Sequence, residues 1–296
     1  MKKFLIGLFS IIIIGVIGVA AYAVWTTHGA IQKIHQDSSI KTADKADTLT
    51  KSGKPIAILL LGTDTGALNR SYKGRTDSMM IAVINPKTKK TLLMSLERDT
   101  PITIDGQTVK LNAAYAYGSA NSSIKQVEKL VNIKLNGYAL INMGGLESIV
   151  DSLGGVSITS NLTFTENGDS FEKGQTYHLK SSRLLSYVRE RYQDPRGDYG
   201  RQLRQQQVIK AVIAKAASNP TTIFNQKFIK KLSSNILTDL SWTSFKNLAL
   251  KYRSSFDSVK SDQMVGTSET INGQSMQVMS QAEKTRVHNE LEKYLK

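Results

Sequence analysis

The sequence predicts an α/β fold: a central mixed β-sheet covered by helices, in a single extracytoplasmic domain behind an N-terminal transmembrane helix. Three observations predict it. Wholly apolar runs such as residues 56–61 have the length and pattern of strands buried on both faces. These runs alternate with segments of helical periodicity, and no fixed-period repeat interrupts them. One uncharged stretch, residues 4–24, stands apart at the N-terminus.

That stretch follows Lys2 and Lys3 and has Ser10 as its one clearly polar side chain. As a helix it spans about 31 Å at ~1.5 Å per residue, enough to cross a hydrocarbon core. Basic residues on the short side keep the N-terminus in the cytoplasm, so the remaining chain is expected outside a cell membrane crossed once. The competing reading is a cleaved signal peptide ending at Ala21-Tyr22-Ala23, for which the apolar run is long. With Trp25 at the membrane edge, the anchor is residues 1–25. Residues 26–54 are rich in Lys, Asp, Ser and Thr and read as a polar stalk. The folded domain is then 55–296, with its core in 56–217.

Within it, 56–61, 78–84 and 91–95 read as strands, the latter two joined by the turn-like Asn85-Pro86-Lys87-Thr88-Lys89-Lys90. Further strands are expected around 102–104, 138–141 and 156–159. Helical periodicity marks 124–131, 145–153, 181–189 and, most clearly, 199–217. Gly154-Gly155 ends one helix. Helices near 222–232 and 243–252, a strand near 276–279 and a last helix near 281–294 complete the chain.

Composition narrows the chemistry. The 296 residues carry 39 Lys+Arg against 24 Asp+Glu, a net charge of +15 that favours anionic partners. An exported domain has no access to nucleic acid. The absence of cysteine excludes disulfides, thiolate metal sites and a cysteine nucleophile. The four histidines are scattered, with no helical pair to hold a metal.

Polar residues gather in two places. If strands 56–61, 78–84 and 91–95 pair antiparallel in turn, Asp64, Arg75, Asp77, Arg98 and Asp99 converge on one sheet edge from separate loops. Paired carboxylates there suit a hard divalent cation such as Mg²⁺, or Mn²⁺ in its place, and the plainer reading is Asp and Gly capping turns. The second place is residues 183–204, which hold six of the eleven arginines although lysines number 28. Asp198 is suited to cap the helix that follows. Arg201, Arg204 and Gln205 share a stripe with Val208 and Val212, so the arginines point toward the core in the first helical turns. Two inward cations at a positive helix end call for an anion. Guanidinium geometry suits a phosphate or pyrophosphate, and an internal salt-bridge network with the aspartates is the competing answer.

At these residues the sequence resembles the LytR–CpsA–Psr family of cell-wall glycopolymer ligases. The matching pieces run from Leu59-Leu60-Leu61-Gly62-Thr63-Asp64 through Gly74-Arg75-Thr76-Asp77, Ser95-Leu96-Glu97-Arg98-Asp99, Lys110-Leu111-Asn112-Ala113-Ala114-Tyr115 and Asp151-Ser152-Leu153-Gly154-Gly155, to Arg189-Glu190-Arg191 and Gly200-Arg201-Gln202-Leu203-Arg204-Gln205-Gln206. One departure is Glu97, where the family commonly has proline. The resemblance implies a membrane-anchored phosphotransferase of a Gram-positive bacterium that moves a teichoic acid, capsule or related wall glycan from an undecaprenyl-pyrophosphate carrier onto peptidoglycan. By position it implies Asp64 and Asp77 as Mg²⁺ ligands. Arg75, Arg98, Arg189, Arg191, Arg201 and Gln205, with Arg204 beside them, become the pyrophosphate clamp. Arg75, Arg98 and Asp99 are the catalytic candidates, Asp99 as a general base or as one arm of a structural salt bridge. The apolar sheet and its helices would enclose the polyprenyl tail. A non-catalytic lipid or polymer binder and an envelope regulator are the alternatives.

Overall fold

In the computed structural model, residues 35–41, 45–63, 74–218, 235–256 and 258–296 are described. The expected membrane helix at 4–24, the helix near 222–232 and Asp64 lie outside the described residues. Among the described residues no helix is long and apolar enough to cross a membrane.

A short helix α1 (Ala46–Lys51) leads into strand β1 (Ile56–Thr63), followed by β2 (Thr76–Asn85) and β3 (Lys90–Ser95). A hairpin, β4 (Pro101–Ile104) and β5 (Gln107–Lys110), precedes helix α2 (Ala114–Val131). Then come β6 (Gly137–Asn142), α3 (Met143–Ser152), β7 (Val156–Thr159), β8 (Phe164–Glu166), β9 (Asp169–Phe171) and β10 (Thr176–Leu179). Helices α4 (Ser181–Arg189) and α5 (Asp198–Ser218), strand β11 (Ile236–Thr238) and α6 (Trp242–Lys251) follow. The chain ends with β12 (Val259–Gln263), the hairpin β13 (Thr267–Ile271) and β14 (Gln274–Val278), and α7 (Gln281–Leu295).

The central sheet has six strands in the order β11-β6-β1-β2-β3-β12. β2 is antiparallel to β1 and β3, as expected, and β6 and β12 are parallel to their neighbours β1 and β3. Four strands, β1, β3, β6 and β12, therefore end at one edge, where β2 begins. Open α/β sheets bind ligands outside the carboxyl ends of their strands.

Both faces of the sheet are buried, which is why its strands read as unbroken apolar runs. On one side Ile56, Ile58, Leu60, Met80, Ala82 and Ile84 pack with residues of α3, α4, α5 and α6. On the other, Ala57, Leu59, Leu61, Met79, Ile81 and Val83 pack with α2 and α7. Burial contributes about 1.5–3 kcal/mol for each large aliphatic side chain so enclosed.

The structure departs from the sequence expectations where small or polar segments depend on distant partners. Strands at 102–104 and 156–159 form, but in separate two-stranded sheets with β5 and β10. α2 begins at Ala114 rather than near 124, and its early part is broken by non-helical Gly118 and Ser119. Strands β11 and β12 extend the sheet from short stretches without an apolar run, Ile-Leu-Thr and Val-Lys-Ser-Asp-Gln.

Part of the expected stalk belongs to the domain. Ala46 and Thr50 are 1% and 0% exposed, and Ala46 N–H donates to the Asn136 carbonyl at 2.7 Å. Further out, Tyr138 Oη donates to the Gln36 carbonyl at 3.0 Å, and Ser38 Oγ donates to buried Asp239. Polar composition misled here because these residues pair with backbone and carboxylate groups instead of water.

Candidate functional site

The end of β1 is shaped by Gly62, where the β1–β2 register shifts at a bulge. A Cβ on Gly62 would lie 2.9 Å from Ser78 Cβ, so the close approach of the two strands requires glycine. Bulges of this kind re-aim side chains at functional edges. Thr63 Oγ1 donates to the Arg75 carbonyl at 3.2 Å, tying the loop end to β1.

Of the five groups expected to converge, Asp64 lies outside the described residues, and Asp77, Arg98 and Asp99 come together. Arg98, just beyond β3, pairs with Asp77 at the start of β2 and lies 3.4 Å from Asp198 and 3.9 Å from Asp99. From α5, Arg201 Nη2 reaches Asp198 at 2.7 Å and donates to the Asp77 carbonyl at 2.9 Å. Lys110 Nζ bridges to Asp99 at 3.0 Å. Arg75 is exposed at the same edge, two residues before Asp77.

The two central arginines differ electrostatically. Burial pulls the Arg98 guanidinium down, and Asp198, Asp77 and Asp99 more than offset it, so its pKa is raised. Arg201, 7% exposed, is lowered by burial; Asp198 opposes that effect, whereas the charges of Arg98 and Arg191 add to it. The Nε atoms of Arg98, Arg201 and Arg204 are all buried without a hydrogen-bond acceptor, although Asp198 Oδ1 stands 3.4 Å from that of Arg98. Buried cationic donors left open in this way call for an anion.

Other expected clamp residues separate. Arg204 is a correction: it is 0% exposed, pairs with Asp194 at 2.5 Å and donates to the Glu190 carbonyl. Its face packs 5.3 Å from the Phe164 ring centroid. The salt-bridge alternative is thus realised for Arg204, because the turn between α4 and α5 folds Asp194 beneath the helix. Burial alone would raise the Asp194 carboxyl, but hydrogen bonds from Arg196 and Arg204 hold it at about 2. Gly200 is small for the same reason, since a Cβ there would lie 1.9 Å from Asp194 Oδ2. Arg191 stacks on Tyr192 at 4.6 Å, close enough to Arg201 for its charge to be felt. Arg189, at the end of α4, is sensed by Glu166.

Beside the charged edge an apolar cavity lies between the sheet and helices α3 and α5. Leu60, Met80, Ile141, Leu146, Val208 and Ile209 are among its walls, and Gly62, Thr63 and Ser78 lie at its charged end. Gln205 lines it too, with Oε1 buried and unpartnered.

Three site groups were not singled out by sequence reasoning. Asp198 reads as a helix cap, yet it is the carboxylate shared by Arg98 and Arg201; its i,i+3 spacing to Arg201 was the available signal. Lys110 carries no local signal, since only the fold sets it beside Asp99, and Glu97, adjacent in sequence, gives no sign of its bond to Gln202 on α5.

The LytR_cpsA_psr family model matches residues 21–293. The chain is 39% identical over 291 residues to the polyisoprenyl-teichoic acid–peptidoglycan teichoic acid transferase TagU of Enterococcus faecalis, covering 98% of this chain and 95% of that protein. A crystal structure of the protein gbs0355 from Streptococcus agalactiae superposes with a TM-score of 0.74 at 35% identity, covering 83% of this chain and 89% of that one. A structure of TagT bound to LIIa-WTA superposes with a TM-score of 0.66 at 27% identity, covering 82% and 91%. With the family model spanning nearly the whole chain and a relative matched at 39% identity, this protein belongs to the LytR–CpsA–Psr family.

Proposed function

We propose that the protein is a membrane-anchored phosphotransferase that moves a wall glycopolymer, of the teichoic acid or capsule class, from an undecaprenyl-pyrophosphate carrier to peptidoglycan. The observation that carries the proposal is the meeting of two features. Arg98 and Arg201 meet as two enclosed cations that share Asp198, and beside them opens an apolar cavity walled by α3 and α5. An anion attached to a long apolar chain satisfies both. The names of the E. faecalis relative and of the TagT complex support the same substrate class.

In this reading the pyrophosphate sits against Arg98 and Arg201, with Arg75 and Gln205 beside it, Arg191 adding its charge from farther out, and the prenyl tail in the cavity. A muramic-acid hydroxyl attacks the phosphorus nearest the sugar, the bond to the bridging oxygen breaks, and polyprenyl phosphate leaves. Asp99, flanked by Lys110 and Arg98, receives the hydroxyl proton. Arginines aimed at the developing charge are the main source of acceleration in such transfers.

Among the described residues no group of three or more His, Asp or Glu is placed to hold a metal. Mg²⁺ does not need one, because it commonly takes one or two carboxylates with substrate phosphates and water. The Asp77 carboxylate, engaged by Arg98 through Oδ1, fits that mode, with Asp64 as its partner. When bound, Mg²⁺ or Mn²⁺ supplies charge neutralisation on the phosphates. The N-terminal apolar segment anchors the chain in this reading and keeps the domain outside the membrane.

The test is transfer by the full chain in detergent, supplied with a polyprenyl-pyrophosphate glycan, Mg²⁺ and peptidoglycan. Glycan appearing on peptidoglycan is expected, and folded Arg98→Ala and Asp77→Ala variants should lose it. Tight lipid binding without transfer would instead favour a binding protein.

A further inference from the structure

Glu97 is fully buried, 0% exposed, immediately before Arg98. Among the described residues no Lys, Arg or His lies within ion-pair distance of it. Both of its oxygens are nevertheless engaged. Oε1 accepts the backbone N–H of Asp99 at 3.1 Å, and Oε2 accepts Gln202 Nε2 at 2.7 Å. The bonds reach in opposite directions, one into the loop carrying Arg98 and Asp99, the other onto α5 one residue after Arg201. Gln202 is itself fixed, since its Oε1 accepts Gln263 Nε2 at 3.3 Å, and that amide also donates to the Tyr199 carbonyl at 2.9 Å. Thr100 closes the loop by donating its Oγ1–H to the Glu97 carbonyl at 2.6 Å.

The geometry points to Glu97 as a positioning residue of the site: its carboxylate ties the Asp99 backbone to Gln202 and so holds Arg98 and Arg201 at one spacing for a pyrophosphate. This rests on the reading of the site given above. A residue without side-chain acceptors at this position could make neither bond.

A carboxylate in this place also makes the clamp sensitive to pH. Burial pushes the Glu97 carboxyl up to about 7; Asp198 and Asp99 add to the rise, and the Asp99 N–H and Arg98 oppose it. The other titratable group that senses Glu97 is the Tyr199 phenol, on the first turn of α5. As pH rises through 7, Glu97 gains a negative charge directly behind Arg98, which works against an anion on the other side. Anion affinity therefore falls across this range, whereas Glu97→Gln keeps an acceptor for Asp99 without the charge but sets an amide NH2 against that of Gln202 and gives up that bond.

The experiment uses the full chain in detergent and two measurements. Hydrogen exchange reads the Asp99 amide, and calorimetry reads binding of geranyl pyrophosphoryl-N-acetylglucosamine, a diester whose phosphates do not titrate near neutrality. Glu97→Ala is expected to speed Asp99 exchange and weaken binding about tenfold. Glu97→Gln should preserve the Asp99 protection, bind more weakly below pH 7 because the bond from Gln202 is lost, and show no fall of affinity across pH 7. Gln202→Ala, which cuts the tie from the helix side, should weaken binding comparably, and the double variant no further. Unchanged Asp99 exchange in folded Glu97→Ala overturns the inference, as does a wild-type pH step surviving in Glu97→Gln. Exchange needs no ligand, so a wild-type protein that binds no probe would refute the reading of the site and leave the positioning role to the exchange result.

Discussion

Arg201 and Arg204 lie three residues apart on one helix stripe, and the sequence makes both of them inward-facing cations. Their anions come from different sources. Arg204 has its counter-charge in the chain, where Asp194 is enclosed with it. Arg201 has no carboxylate to itself, because it shares Asp198 with Arg98. Removing them should therefore fail in different ways. Arg204→Leu removes the buried partner of Asp194 and leaves that carboxylate to Arg196 alone, at an expected cost of about 3 kcal/mol in a urea melt. Arg98→Ala removes a partly buried cation aimed at substrate, and transfer should fall at least about a hundredfold while the fold survives. A normally active, folded Arg98→Ala would refute the site. Nothing local in the sequence tells these arginines apart, because Asp194 and Asp198 are equally plausible turn residues until the turn closes.

Helix α5 is the element on which the site depends, since its first turns meet the ends of β1 and β3 and its middle walls the cavity. Its periodicity is legible over most of its length, and so is its apolar stripe. The contact that sets its approach is less visible: Gly200 lies against the Asp194 carboxylate, and Gly200→Ala should destabilise the domain by about 2 kcal/mol, read as a lower melting temperature. On the opposite wall, Leu146→Trp in α3 should fill the cavity. Affinity for a long-tailed polyprenyl pyrophosphate is then expected to drop about tenfold, with binding of a short-tailed analogue unchanged. Equal losses for both ligands would place the tail elsewhere.

For the whole molecule, two properties follow from how distant segments close on each other. A chain beginning at Pro55, where the apolar pattern starts, omits α1 and the contacts of residues 35–41. It should melt well below one beginning at His35, because Ala46, Thr50 and the Asp239 partners are lost. The second property is the pH dependence of stability. The Glu97 carboxyl sits at about 7 in the fold, above its ordinary 4.5, so the folded state holds that proton more tightly. Its contribution is greatest below the ordinary value and declines as pH rises to about 7. The sign for Asp194 is opposite: held at about 2, it adds stability above 3.8 that is lost as pH falls toward 2. Relative to wild type, Glu97→Gln should gain stability between pH 4.5 and 7, by an amount on the order of 3 kcal/mol, in urea melts across that range.

By itself the sequence determined the α/β class, the order of the three first strands, the long helix with its inward arginines, and the meeting of Asp77, Arg98 and Asp99. These are carried by periodicity and by antiparallel pairing, which act over short stretches and survive as pattern. Only the tertiary structure decided that β11 and β12 extend the sheet, that residues 45–54 join the domain, that Arg204 is spent on Asp194, and that Glu97 bridges the loop to α5. Each of these is a pairing of polar or small groups far apart in the chain. Their stability comes from the partner rather than from the segment, so no local pattern records them.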